Sequence, residues 1–104
     1  MINTVTLVGR IARDIEITEN EEGKKVLTIV VAVSRHYKNI NGEYETDFIS
    51  VRVGQGLMLE TTKEYCLKGD LIGIRGRLAK LENENLKVIA EKITFMSSGK
   101  GEKI

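Results

Sequence analysis

Residues 26–33 read VLTIVVAV, and this run constrains the chain more than any other feature. It is dominated by β-branched residues, which favour an extended backbone. Apolar side chains occupy both parities, so a strand here must have both faces covered. Such a strand belongs at the centre of a sheet. No proline occurs in the chain, so nothing removes a donor from the ladders. With 104 residues there is room for one domain.

The other elements are read around that strand. Thr4–Ile11 alternates as a first strand, with Val5, Leu7, Gly9 and Ile11 on one face and Thr4, Thr6, Val8 and Arg10 on the other. Asp14–Ile17 continues it after a bend. Val26–Arg35 is the second strand, and a loop over Lys38–Glu45 turns on Asn41-Gly42. Phe48–Val53 is the third strand, with Ile49, Val51 and Val53 facing away from Phe48, Ser50 and Arg52. Leu57–Leu67 changes to helical spacing and ends at Lys68-Gly69. Asp70–Leu78 is the fourth strand and Leu86–Met96 the fifth, joined by the polar turn Glu82–Asn85. Three strands, one short helix and two strands predict an all-β protein: the OB fold, a five-stranded Greek-key barrel. An SH3-like barrel is the alternative, but it has no natural place for a helix of this length. The domain is set at residues 1–97, with 98–104 as a flexible tail.

Composition narrows the function. The formal net charge is +1, so any electrostatic argument rests on where the charges sit. Cys66 is the only cysteine, which excludes an intrachain disulfide and a cysteine-rich zinc site; its apolar setting reads as packing. His36 is the only histidine, and no nucleophile-elbow or phosphate-loop motif occurs. The chain is therefore expected not to be an enzyme and to need no cofactor or metal. The carboxylates of Asp14 and Glu16, and of Glu43, Glu45 and Asp47, are read as surface solubility. No apolar run reaches the ~20 residues of a membrane span and no leader opens the chain, so a cytoplasmic, nucleoid-associated location is expected.

Several segments in colinear order resemble the bacterial single-stranded DNA-binding protein family: MINTVTLVGRIARDIEI, VAVSRHYKNINGEYETDF, EYCLKGDLIGIRGRL and VIAEKITFM. Together they span roughly residues 1–96. The resemblance implies sequence-tolerant binding of single-stranded DNA in replication, recombination or repair. It also implies self-association as a homotetramer, with a dimer as the lesser alternative. The departures concern the aromatics and the tail. Where the family usually carries stacking tryptophans, this chain has Tyr37 and Phe48, and its last hairpin has only Leu81 and a short ENEN turn. The acidic tip through which the family docks replication or recombination proteins is missing from the GKGEKI ending.

Single strands are held by a basic groove that tracks phosphates and by aromatic faces that stack on bases, each stacked base contributing about 1–3 kcal/mol. Strand parity nominates Phe48 and Arg52 on the third strand, and Arg75 and Arg77 on the fourth. Arg35 and Tyr37 share a face at the end of the second, with Lys38 beyond. Arg10 and Lys68 are added because they match the family's motif. These residues are expected to form one basic and aromatic surface, with Tyr37 and Phe48 stacking and the cations meeting phosphates. Gly73 and Gly76 are read as allowing close approach to that surface. Tyr65 and Phe95 lie in apolar periods and are read as core. Two competing readings remain: an OB-type protein-interaction module of the primosome accessory kind, and an RNA-binding OB domain.

Overall fold

The structure is a computed structural model and describes residues 1–19, 22–53, 62, 66–80 and 85–98. Six strands are seen: β1 (Val5–Ile11), β2 (Glu16–Glu19), β3 (Lys25–Lys38), β4 (Tyr44–Val53), β5 (Leu71–Lys80) and β6 (Leu86–Ser97). Following the hydrogen bonds, β1 pairs with β5, β5 with β6, β6 with β4, β4 with β3, and β3 returns to β1. The wall is a closed five-stranded barrel, with β2 as a short strand on β3. All pairings are antiparallel except β4 with β6, which run parallel over Val51–Val53 and Val88–Ala90. This is the connectivity of an OB fold.

The central run behaves as its composition requires. Leu27, Ile29 and Val31 are fully buried, while Thr28, Val30 and Ala32 on the other face are partly covered. The barrel interior is completed by Ile11, Val51, Val53, Ile72, Ile74, Val88, Ala90 and Cys66. Cys66 is packed as expected, and burial pushes its thiol pKa up, with the nearby Asp70 charge adding to the shift.

Closure requires two glycines. A methyl group on Gly9 would collide with the Ala32 carbonyl, and one on Gly76 with the Ile89 carbonyl. Gly76 therefore admits the backbone of β6 and not a ligand, which corrects the expectation placed on it. Over Gly73 the outer space holds the Met96 sulfur, 3.5 Å from where a Cβ would lie.

Strand boundaries shift at the hairpin. β3 runs on to Lys38 and β4 starts at Tyr44, so the loop is shorter than its polar composition suggests. Asn39 accepts from the Gly42 N–H at 3.0 Å through its carbonyl, and its own N–H donates to the Glu43 carbonyl at 2.8 Å. Gly42 takes φ +78°. A turn followed by a left-handed glycine is the three-residue hairpin connection. Phe95 is another correction. It sits near the end of β6 and is 49% exposed, so it does not belong to the core. The expected helix Leu57–Leu67 lies mostly outside the described residues, as does Tyr65. What is seen is Thr62 in helical conformation, with the Cys66 N–H donating to its carbonyl at 2.9 Å. The Glu82–Asn85 turn, except Asn85, and the tail beyond Ser98 also lie outside them.

Candidate nucleic-acid interface

The outer face of the barrel wall collects the nominated residues in cross-strand rows. In the first row Arg10 of β1 lies opposite Ala32 of β3, and Ala32 opposite Phe48 of β4. Phe48 points outward and is 66% exposed, because its neighbours Ile49 and Asp47 occupy the inward parity. Ala32 is too small to cover the ring, so a large flat apolar surface stays open to solvent. Beside this row an open groove is lined by Val8, Gly9, Arg10, Ala32, Ser34, Thr46 and Leu71.

Arg10 donates to the Gly69 carbonyl at 3.0 Å. The Gly69 N–H donates to the Ile11 carbonyl at 2.8 Å, and the Ile11 N–H to the Asp70 carbonyl at 2.9 Å. These bonds dock the Lys68-Gly69 turn against the end of β1. Lys68, exposed, immediately precedes the glycine whose carbonyl Arg10 holds.

A second row lies four residues along β4, about 13 Å by strand rise. Arg52 is opposite Thr28 on β3 and Ile89 on β6, and Ile89 is opposite Arg77 on β5. Arg77 is 3.6 Å from Glu91, which offsets part of its charge. Lys87, which the sequence reading passed over, donates to Ser50 Oγ at 3.1 Å and joins this face. The signal was available: Lys87 and Ile89 alternate outward between buried Val88 and Ala90.

Arg75 does not join Arg52. It pairs with Thr6 on β1 and Lys92 on β6, around the wall from β3 and β4. The extra residue of the register shift here, Glu91, lies on β6, so Arg75 and Arg77 stay on one exposed face of β5, two residues apart. Arg52, Arg75, Lys68 and Lys92 make no ion pair among the described residues.

Beyond the barrel wall the β3–β4 hairpin continues as an arm. Tyr37 is 58% exposed and meets His36 edge-on at 5.5 Å between ring centroids. Lys38 lies opposite Tyr44, with its ammonium 5.7 Å from the Tyr44 ring centroid, a cation–π contact. One flat surface of the arm is therefore already paired with a cation.

Arg35 is the residue whose placement departs most from expectation. It falls on the parity of Val33, Asp47 and Ile49, the reverse side of the sheet from Phe48. Its guanidinium donates to both oxygens of Asp47, Nε to Oδ2 at 3.1 Å and Nη2 to Oδ1 at 2.9 Å. Nη1 donates to Glu45 Oε1 at 2.9 Å. The Arg35 hydrogen bond holds the Asp47 carboxyl below its ordinary pKa, and the two carboxylates raise that of Arg35. Glu45 and Asp47 are thus structural partners and not merely solvated charges.

Comparison with known proteins brings one family forward. The model of the single-strand binding protein family matches residues 2–96. A Bacillus subtilis relative, single-stranded DNA-binding protein B, is 33% identical and aligns with 99% of this chain and 97% of its own length. Lactococcus lactis single-stranded DNA-binding protein 1 is 37% identical over 96% of this chain and 71% of the relative. A Streptococcus mutans single-stranded DNA-binding protein is 41% identical, but only 51% of its length is spanned. Among solved structures, a mitochondrial single-stranded DNA binding protein from S. cerevisiae superposes with a TM-score of 0.81 at 19% identity, covering 96% of this chain and 99% of its own. A Plasmodium falciparum SSB solved in complex with ssDNA gives 0.76 at 20% identity, over 93% and 96%. The structural likenesses establish the barrel. The family match covers nearly the whole chain, and the chain belongs to the single-strand binding protein family.

Proposed function

We infer that this chain binds single-stranded DNA without regard to sequence, on the outer face of β3 and β4, in replication, recombination or repair. The observation that carries this reading is Phe48: an outward, 66% exposed ring on a β-strand, flanked along its face by Arg10 and Arg52. An aromatic plane accepts any base, and cations on either side accept the phosphates that link successive bases. Lys68, Lys87 and Arg77 widen the cationic border. Lys38 and Tyr44 extend the surface along the arm, and Tyr37 exposes a further ring there. Arg75, on the same face of β5 as Arg77, lies beyond the Arg52 row.

We extend the reading to self-association as a homotetramer in the cytoplasm. Val8, Phe95 and Met96 lie exposed on β1 and β6, which supports burial against further copies. No helix among the described residues is long and apolar enough to cross a membrane.

The test is fluorescence anisotropy of labelled oligo(dT) at two salt concentrations, with duplex DNA and oligo(U) as competitors. Binding that weakens with salt and resists duplex is the expected result. Absence of binding at low salt would hand the face to a protein partner, and preference for oligo(U) would assign it to RNA.

A further inference from the structure

We propose that Arg35 is a positioning residue: with Asp47, Glu45 and Asn39 it braces the β3–β4 arm across a break in the backbone ladder, and it does not contact phosphate. The proposal rests on the single-stranded DNA reading above.

The break is visible in the register. Ser34 pairs with Thr46, and the next pair is Lys38 with Tyr44. Arg35, His36 and Tyr37 on β3 therefore face Glu45 alone on β4. Ladder bonds are lost where the arm leaves the barrel, and a bulge of this kind bends its strand. With no other link, the arm would pivot there, carrying Tyr37, Lys38 and Tyr44 with it.

Side chains supply the link. Asp47 lies on the barrel side of the break, and both its oxygens hold the Arg35 fork. Glu45 lies within the break and takes the third guanidinium contact on Oε1. Its other oxygen accepts from Asn39 Nδ2 at 3.1 Å. Asn39 Oδ1 in turn accepts the backbone N–H groups of Asn41 at 2.9 Å and Glu43 at 3.0 Å. One unbroken series of hydrogen bonds thus runs from the barrel wall to the hairpin tip.

The same geometry argues against a phosphate role. Three of the five guanidinium N–H groups, one on each nitrogen, already donate to carboxylates, and the Nε–Nη2 edge that would grip an anion in a fork is taken by Asp47. A phosphate approaching it meets two negative charges. On the opposite side of the sheet, Phe48 and Arg52 present no such barrier. A brace that holds the arm before the strand arrives reduces the ordering cost of binding.

Asp47→Asn separates the two roles, because it makes the protein more positive while breaking the fork. As a brace, the fork's loss lowers oligo(dT) affinity by about two- to fivefold, the range of an exposed ion pair. Arg35→Lys, which keeps the charge but not the fork, does the same. Arg35→Ala leaves the slope of log affinity against log salt unchanged. In the free protein, backbone amides of residues 36–44 exchange with deuterium faster in all three variants, while those of β5 do not change.

A rise in affinity for Asp47→Asn would overturn the proposal. So would a fall of about 0.7 in the salt slope for Arg35→Ala, the value for one lost phosphate contact on a single strand. Unchanged exchange in the arm would also overturn it. If the unaltered protein fails to bind oligo(dT), the DNA reading falls by itself, and the exchange measurement still decides whether the brace exists.

Discussion

β3 and β4 build both the barrel wall and the arm that projects from it, yet the two parts are held together differently. From Leu27–Val53 to Ser34–Thr46 the strands are joined by a regular backbone ladder over an apolar interior. Over Arg35–Tyr37 the ladder is interrupted, and carboxylate, guanidinium and amide side chains bridge the gap before pairing resumes at Lys38–Tyr44. The wall depends on apolar burial, which has no charge to screen or titrate. The arm depends on charge-assisted bonds in water, which are weak and adjustable. A ligand-binding face gains from this division: the wall fixes Phe48, while the arm can be tuned without endangering the fold.

Mutations sharpen this contrast in a graded series. Ile29→Ala, in the fully buried interior, is expected to cost about 2–5 kcal/mol in chemical denaturation. Oligo(dT) affinity of the fraction still folded should be unchanged; a matching loss of affinity would mean that wall and face are not separable. Gly76→Ala should cost about 1–3 kcal/mol, because the new methyl drives into the Ile89 carbonyl and the backbone must give way. Gly73→Ala, with Met96 3.5 Å away, serves as its tolerated counterpart.

Phe48→Ala reverses the pattern. Affinity for oligo(dT) should fall by about 1–3 kcal/mol, one stacked base. Stability should move by no more than about 0.5 kcal/mol, as for other exposed positions. A large stability loss would reassign Phe48 to the core. Converting Arg75 and Arg77 together to alanine should lower the salt slope by about 1.4, if both meet phosphates. A fall of half that size would leave Arg75, around the wall, outside the path of the strand.

The smallest effect is in pH. The Arg35 bond depresses the folded-state pKa of Asp47 below its unfolded value. Its contribution is therefore complete above the ordinary aspartate pKa and is lost as pH falls through the depressed one. Amide exchange in the arm should quicken over that acid window, and Asp47→Asn should abolish the dependence. A pH response unaltered by Asp47→Asn would locate it elsewhere.

The wall was legible in the sequence because period-two alternation and β-branched composition encode burial directly. VLTIVVAV announced a central strand, and Ile49, Val51 and Val53 announced that Phe48 faces out. The arm was less legible. Alternation implies that Arg35 and Tyr37 share a useful face, but parity says nothing about a register shift four residues before the turn. Nor does a run of carboxylates declare which of them will find an arginine across the sheet. Gly76 misled for a related reason: its small size is a response to the Ile89 carbonyl, a contact made only when the barrel closes. Arg75 and Arg77 share the exposed face of β5, as their alternation implies, but only Arg77 lies across Ile89 from Arg52.

The parallel contact between β4 and β6 has a consequence for how the chain is made. The β3–β4 hairpin pairs residues close in sequence, whereas the seam at Val51–Val53 waits for Val88–Ala90. During synthesis from the N-terminus, β4 and the far edge of β5 must stand unpaired until the last strand has left the ribosome. Contacts this distant in sequence also slow folding. The newborn protein thus passes through an interval with two open sheet edges, when pairing with a neighbouring nascent chain competes with closure. Arrival of β6 ends that interval at both edges at once.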